Sequence, residues 1–111
     1  MKIPPDAVIA MEKLTSYLLV EREWDDKSKF LRKAGFTREN PHLLLGAIRG
    51  LAADVEAVDD GVNEYGEFLR VEGKMTGPNG RTLAVTTIWL RTRLDGRIRF
   101  VTLKPRKEKT P

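Results

Sequence analysis

The spacing of apolar residues changes from a helical repeat to a strand repeat near the middle of the chain, and this change limits the fold more than any other feature. Up to Val55, apolar side chains recur every three to four positions, as on one face of a helix. After Gly61 they alternate with polar ones, as in a strand with one buried face. This order predicts an α+β fold, with three N-terminal helices packed on one face of a three- to four-stranded antiparallel sheet.

The helical part begins with two short amphipathic segments. The first is predicted over residues 10–20, and the second from Asp26 to Ala34, with Asp25 or Asp26 as its N-cap. The third helix has the clearest start signal, because Asn40 occupies the N-cap and Pro41 the first helical position.

Two turns allow the strand pairing to be predicted. Gly77-Pro78-Asn79-Gly80 is interpreted as a four-residue loop that pairs Thr76 with Arg81. Asp95-Gly96 is typical of a two-residue hairpin loop and pairs Leu94 with Arg97. The two registers agree on one apolar face, the predicted core face, which holds Leu69, Val71, Gly73, Met75, Ala84, Thr86, Ile88, Leu90, Val101 and Leu103.

The chain length of 111 residues fits one domain. Its predicted parts are an N-terminal arm (1–9), a helical part (10–55), an acidic loop or short edge strand (56–66), the antiparallel sheet (67–105) and a flexible basic tail (106–111).

Cysteine is absent and histidine occurs once, so disulfides, thiolate zinc sites and histidine-based metal sites are not expected. We therefore predict no metal and no cofactor. No apolar run approaches the ~20 residues that span a bilayer, and the N-terminus lacks the apolar stretch of a signal peptide. We expect a cytoplasmic domain that does not contact a membrane.

Positive charge is concentrated in the predicted sheet. Residues 81–111 hold nine Lys and Arg against Asp95 and Glu108, whereas Asp54 to Glu67 contains six acids and no base. This asymmetry favours an anionic partner for the C-terminal part. A solvated surface without a partner is the alternative.

The face opposite the predicted core gathers cationic, hydroxyl and aromatic side chains. In the predicted register Arg70, Thr87 and Lys104 form one row, whose neighbours stand about 4.5–5.5 Å apart at Cβ, so that one phosphate can touch all three. Glu72 is the best placed carboxylate for proton transfer, and Lys27 is a second candidate. An ordinary solvated strand face is the alternative interpretation.

Aromatic residues on the same face suggest a platform on which nucleic-acid bases stack. Trp89, Phe68 and Phe100 form the predicted platform, and Arg91, Thr102 and Arg106 are further candidate contacts to nucleic acid. Because only 7% of the residues are aromatic, a small core under a helix or the N-terminal segment is the alternative.

Several segments resemble a small, uncharacterised bacterial family known only as a domain of unknown function. The resemblance covers residues 12–105 and is carried by Lys13–Leu19, Lys27–Leu31 with Gly35-Phe36, Tyr65-Gly66, Val71–Gly73, Thr76–Arg81, Thr87–Trp89 and Val101–Pro105. No segment is a catalytic signature.

The order of helices and strands also resembles small ribonuclease toxins built like barnase and RelE. That resemblance implies RNA cleavage on the open sheet face, and an acidic antitoxin or immunity protein that covers it. The chain departs from such toxins at two places. Glu21 to Asp26 holds no histidine, and the aromatic hydroxyl expected on the last strand falls near Lys104.

Three functions are compatible with these patterns. The first is a metal-independent ribonuclease, the toxin of a toxin–antitoxin or related system. The second is a non-catalytic module that uses the basic sheet for nucleic acid or an acidic protein. The third is an interaction subunit whose aromatic residues are buried in a homodimer.

Overall fold

The computed structural model describes residues 1–23 and 27–106, which form a helical part followed by four strands. The helical elements are α1 (Met11–Lys13), a π-helix that continues directly from it (Leu14–Leu18), α2 (Ser28–Arg32) and α3 (Pro41–Asp54). The first two segments are shorter than predicted. The proposed caps Asp25 and Asp26 lie outside the described residues.

The start of α3 confirms the sequence prediction, with Asn40 at the N-cap and Pro41 at the first position. The Asn40 side chain does not cap its own helix. Its Oδ1 instead accepts the Thr37 N–H at 2.8 Å, and its Nδ2 donates to the Gly35 carbonyl at 3.1 Å. Asn40 therefore fixes the connection between α2 and α3.

The four strands form one antiparallel sheet in the order β1-β2-β3-β4. Their bounds are β1 (Val58–Asn63), β2 (Gly66–Thr76), β3 (Thr82–Thr92) and β4 (Ile98–Pro105). The acidic stretch thus includes a short edge strand, one of its two predicted forms.

The predicted register of the β2–β3 hairpin is wrong by one residue. Thr76 pairs with Thr82, not Arg81, so the loop has five residues, Gly77 to Arg81. The turn is docked on the end of α2, where Asn79 Nδ2 donates to the Lys33 carbonyl at 2.9 Å. This tertiary contact sets a loop length that the turn residues alone do not specify.

The predicted register of the β3–β4 hairpin is also wrong. Arg91 pairs with Ile98, and the Thr92 N–H donates to the Arg97 carbonyl at 3.0 Å, which leaves a four-residue loop. The Asp95 carboxylate accepts the Thr92 hydroxyl and the Arg97 N–H within this loop. Gly96 has φ +70°, so the glycine is needed, but in a longer turn than the predicted one.

A one-residue slip turns every side chain of a strand to the other face. Trp89 and Thr87 therefore lie in the core, and Thr86, Ile88 and Leu90 lie opposite them. The prediction for β2 is correct, because Leu69, Val71 and Met75 are buried on the core face.

The core fills the space between the sheet and the helical part. Its buried side chains include Leu14, Leu18, Leu31, Leu44, Ile48, Leu69, Val71, Val85, Trp89, Phe100 and Leu103. Trp89 and Phe100 meet edge to face with ring centroids 5.4 Å apart. For these two rings the packing interpretation is confirmed.

The N-terminal arm is held against the protein. Ile3 and Ala7 belong to the core, and Arg49 Nη1 donates to the carbonyls of Pro5 and Ala7 at 3.3 and 3.0 Å. Val8 bridges to β4 beside Arg99 in a parallel sense. Among the described helices, none is long and apolar enough to cross a membrane.

β4 contains an irregularity that shifts the alternation of its side chains between the two faces of the sheet. Ile88 pairs with Thr102, but Trp89 pairs with Phe100, so Val101 is an extra residue, a β-bulge. Phe100 and Leu103 are both buried although they are three residues apart.

Candidate functional site

The sheet face opposite the core, called the open face below, carries two rows of side chains near β4. Strand pairing aligns Arg70, Ile88 and Thr102 in the first row. It aligns Glu72, Thr86 and Lys104 in the second. The predicted row of Arg70, Thr87 and Lys104 therefore does not exist, although Arg70, Glu72 and Lys104 do lie on the open face.

Thr87 cannot contact a phosphate, because it is 1% exposed and fully hydrogen-bonded. Its hydroxyl donates to the Val71 carbonyl at 3.0 Å and accepts the Trp89 Nε1–H at 2.9 Å. Trp89 is also 1% exposed, so it offers no surface for stacking. The register slip is the physical reason for both corrections.

The other proposed nucleic-acid contacts are dispersed. Arg91 lies on the side of the sheet that carries Trp89, where it contacts Met1 Sδ at 2.8 Å and Glu67 Oε2 at 3.5 Å. Phe68 is half-buried on the open face and pairs with Leu90. Arg106 is exposed beyond the end of β4.

Glu72 is the centre of an ion-pair network on the open face. Its Oε2 accepts the Thr86 hydroxyl at 3.0 Å and lies 3.6 Å from Arg106 Nε. Arg70 Nε lies 3.1 Å from Glu72 Oε1, but this N–H makes no hydrogen bond, so the contact is an ion pair alone. Arg70 also donates to Asp60 at 2.8 Å.

This network limits what Glu72 can do. Its oxygens already face a hydroxyl and two guanidinium groups, and it lies two strands from Thr102, about 10 Å away at the usual strand separation. Glu72 is therefore suited to holding Arg70 and Arg106 on the open face. It is poorly placed to exchange protons at β4.

A second arrangement lies at the outer edge of β4 and joins the first row of the open face. Lys27 Nζ is 3.0 Å from Thr102 Oγ1 and 3.1 Å from the Tyr17 hydroxyl. All three side chains are half-buried. Lys27 and Thr102 are thus in contact, although the sequence indicated different roles for them.

A hollow of about 520 Å³, called the β4 hollow below, opens beside this cluster. Its lining residues are Ala10, Glu12, Lys13, Tyr17, Val101 and Thr102. The lining combines apolar surface with a carboxylate, an ammonium and two hydroxyls. This composition suits a ligand that has both a charged and an apolar part.

The π-helix explains why Tyr17 and Glu12 line the same hollow. Its widened turn closes with the Leu19 N–H donating to the Leu14 carbonyl at 2.9 Å, a five-residue spacing. Glu12 and Tyr17 are also five residues apart. Short π-helical turns occur frequently at functional sites.

Further positive charge surrounds the phenol ring. The Arg22 guanidinium carbon lies 4.5 Å from the Tyr17 ring centroid, and Lys27 Nζ lies 5.1 Å from it. Such contacts are favourable because the ring face is electron-rich. Two cationic side chains therefore lie against the Tyr17 ring.

Sequence reasoning missed Tyr17 and Glu12. Tyr17 falls beside the apolar stripe of a regular helix pattern, and no residue type signals a π-helical turn. Among residues 1–23 and 27–106, no group of three His, Asp or Glu side chains is arranged to hold a metal ion.

Shifted pKa values are found at carboxylates outside the hollow lining. The hydroxyl of Thr92, followed by the Arg97 backbone N–H, holds the pKa of Asp95 below its ordinary value. The pKa of Glu39 is lowered mainly by the Thr37 hydroxyl. Both carboxylates stabilise turns.

Comparison with solved structures shows a likeness in fold. A chain of the contact-dependent growth inhibition toxin–immunity protein complex from Klebsiella pneumoniae 342 aligns with a TM-score of 0.69. The alignment covers 90% of this chain and 100% of the other at 21% sequence identity. At this identity the likeness shows a shared fold alone.

No curated protein matches the sequence. One protein family does, and its match extends over residues 4–107, nearly the whole chain. This protein belongs to the family of the domain of unknown function DUF6883.

Proposed function

We propose that this domain is a metal-independent ribonuclease and the toxin component of a bacterial toxin–immunity system. The observation that carries the proposal is the meeting of Lys27, Tyr17 and Thr102 at the edge of a basic sheet face. The likeness in fold between this protein and a chain of a toxin–immunity protein complex supports a role in a toxin system. The likeness supplies no evidence on the reaction.

The residue types at the β4 hollow suit a cleavage reaction in which the nucleophile is the RNA's own ribose 2′-oxygen. The ribose 2′-oxygen attacks the adjacent phosphorus, the bond to the 5′-oxygen breaks, and a 2′,3′-cyclic phosphate and a 5′-hydroxyl are formed. The Lys27 ammonium offsets the charge that builds up on the non-bridging oxygens. Thr102 holds Lys27 in position through the 3.0 Å contact.

Proton transfer is assigned to Glu12 and Tyr17, which line the hollow. Glu12 takes the proton of the 2′-hydroxyl, and the Tyr17 hydroxyl gives a proton to the departing 5′-oxygen. Tyr17 thereby provides, from the helical part, the aromatic hydroxyl that β4 lacks. Glu72 keeps its structural role with Arg70, and Lys104 binds a flanking phosphate on the open face.

The basic open face also suits an acidic immunity protein or antitoxin. Lys104, Arg106 and Lys74 are exposed there. A partner that pairs carboxylates with them blocks RNA by occupying the same cations.

The test is cleavage of a single-stranded RNA with EDTA present, by wild type and by Tyr17→Phe, Lys27→Met and Glu12→Gln. We expect each change to lower kcat by about 10²–10³-fold, the usual effect of removing a proton-transfer group or a charge-stabilising donor. A single 2′-deoxy substitution at the cleaved position should abolish the reaction. Lys29→Met is the matched control, since Lys29 is exposed on α2 two residues from Lys27.

Unchanged cleavage by Lys27→Met and Tyr17→Phe contradicts the assigned site. If the wild type binds RNA in a salt-dependent manner but never cuts it, the domain is a binding module. If binding is insensitive to salt, both electrostatic functions are excluded.

A further inference from the structure

Three cations follow β4 along the open face, and a fourth reaches the edge of this strand from the helical part. Arg99, Lys104 and Arg106 belong to β4 or its extension, and Lys27 joins them through Thr102. Arg99 pairs with Leu90, Thr102 with Ile88, and Lys104 with Thr86, so all lie on the same face. Arg106 continues the row, since its N–H donates to the Ala84 carbonyl at 3.0 Å.

The bulge at Val101 makes this row continuous. Without it, Arg99 and Thr102 would point to opposite faces, because side chains alternate along a strand. With it, successive positions of the row are separated by two strand steps, about 6.6 Å. That interval is close to the distance between consecutive phosphates of an extended single strand.

The ion pairs made by Arg99 and Arg106 are weak enough to exchange. Arg99 lies 3.2 Å from Asp95 and Arg106 3.6 Å from Glu72, and both arginine side chains are about half exposed, at 48% and 49%. Exposed pairs of this kind contribute little to stability. Within the described chain, Lys104 makes no ion pair.

Apolar side chains lie beside the row, toward the middle of the sheet. Leu90 and Ile88 occupy the next strand, and Phe68 follows on β2 opposite Leu90. All three are half-buried. A shelf of this kind accepts unstacked bases, whereas a duplex keeps its bases paired and out of reach.

We propose that β4 binds one extended RNA strand, with its phosphates on Arg99, Lys27, Lys104 and Arg106 and its bases on Phe68, Leu90 and Ile88. This inference rests on the proposed function, and it narrows the substrate class to single-stranded RNA of at least four nucleotides. Double-stranded RNA is excluded as a substrate of the same surface.

The test measures binding, without cleavage, of a fluorescent 2′-O-methyl RNA of about ten nucleotides, a length within the usual single-strand site range. Anisotropy titrations between about 50 and 200 mM salt give the slope of log K against log salt, near −0.7 per phosphate contact. Arg99→Ala and Lys104→Ala should each reduce the magnitude of this slope by about 0.7. Lys29→Ala should leave it unchanged.

Phe68→Ser tests the shelf and should weaken binding about tenfold without altering the salt slope, as loss of one base stack does. Thermal melting verifies that the variant is folded. The same sequence presented as a duplex should bind more weakly and show no dependence on Phe68.

An unchanged slope in both cation variants overturns the proposal, as does a duplex that binds as tightly as the single strand. Because the probe cannot be cut, this outcome is independent of the cleavage assay. Cleavage without the slope changes refutes the β4 row alone, and the slope changes without cleavage refute the ribonuclease alone.

Discussion

Thr87→Val should destabilise the protein by removing one buried hydroxyl at nearly constant volume. That hydroxyl accepts the Trp89 Nε1–H at 2.9 Å and donates to the Val71 carbonyl at 3.0 Å, and Thr87 is 1% exposed. Valine leaves the indole N–H buried without an acceptor, which costs about 1–3 kcal/mol. We expect a loss of about 2 kcal/mol in the free energy of unfolding.

The corresponding fall in Tm follows from the size of the chain. An unfolding entropy of about 2.1 cal/mol/K per residue converts 2 kcal/mol into about 9 °C for 111 residues. Urea denaturation and thermal melting of the two proteins measure it. In a Trp89→Phe background, which lacks the indole donor, the same change should cost about 1 kcal/mol less.

Thr86→Val is the matched control, because Thr86 donates to the half-exposed Glu72 at 3.0 Å and water can replace it there. Its cost should stay below about 1 kcal/mol. If Thr87→Val is neutral while Thr86→Val is costly, the strand register described here is refuted, because the two threonines would then face the opposite sides.

Three further outcomes follow from the packing and the turns. Gly77→Ala should cost about 3 kcal/mol in a denaturation curve, because its Cβ would lie 1.9 Å from the Ala34 carbonyl oxygen; a neutral result would mean that the turn is not docked on α2. Gly46→Ala, in open space on α3, should stabilise the protein by up to about 1 kcal/mol, and a loss would show that this helix face is covered. Because the pKa of Asp95 is lowered in the folded protein, the ionised carboxylate stabilises the fold at pH values above its pKa in the unfolded chain. This contribution disappears as the pH falls through the folded pKa. Asp95→Asn should therefore be less stable than wild type at neutral pH, with the difference beginning to shrink below about pH 4 and disappearing only below the folded pKa; a difference that persists in stronger acid contradicts that assignment.

The fold class, the helix start at Asn40 and the core face of β2 follow from the sequence because each has a clear periodic or capping signal. β3 has none, since residues 83–90 are apolar or Thr on both faces. The prediction of which β3 side chains face the core therefore depended on the lengths assigned to the two hairpin loops. Both loops are longer than their turn residues suggest, one because it docks on α2 and the other because Asp95 closes a wider turn.

The candidate site divides in the same way. The open face could be predicted for Arg70 and Glu72 because apolar and polar residues alternate clearly along β2. It could be predicted for Lys104 because the end of β4 is polar. The contact of Lys27 with Tyr17 and Thr102 could not, since it joins residues up to 85 positions apart in sequence through a π-helical turn. The composition of the chain does not indicate that these three side chains come together.

The extra residue in β4 has a consequence for how this strand tolerates change. Deleting Val101 would leave Phe100 next to Thr102, with Phe100 facing the core and Thr102 facing the open face, as regular alternation along a strand requires. The other side chains of β4 would therefore keep their faces, and this one-residue deletion should be tolerated. A second deletion in the same strand would find no extra residue to remove and would turn the residues beyond it to the opposite face.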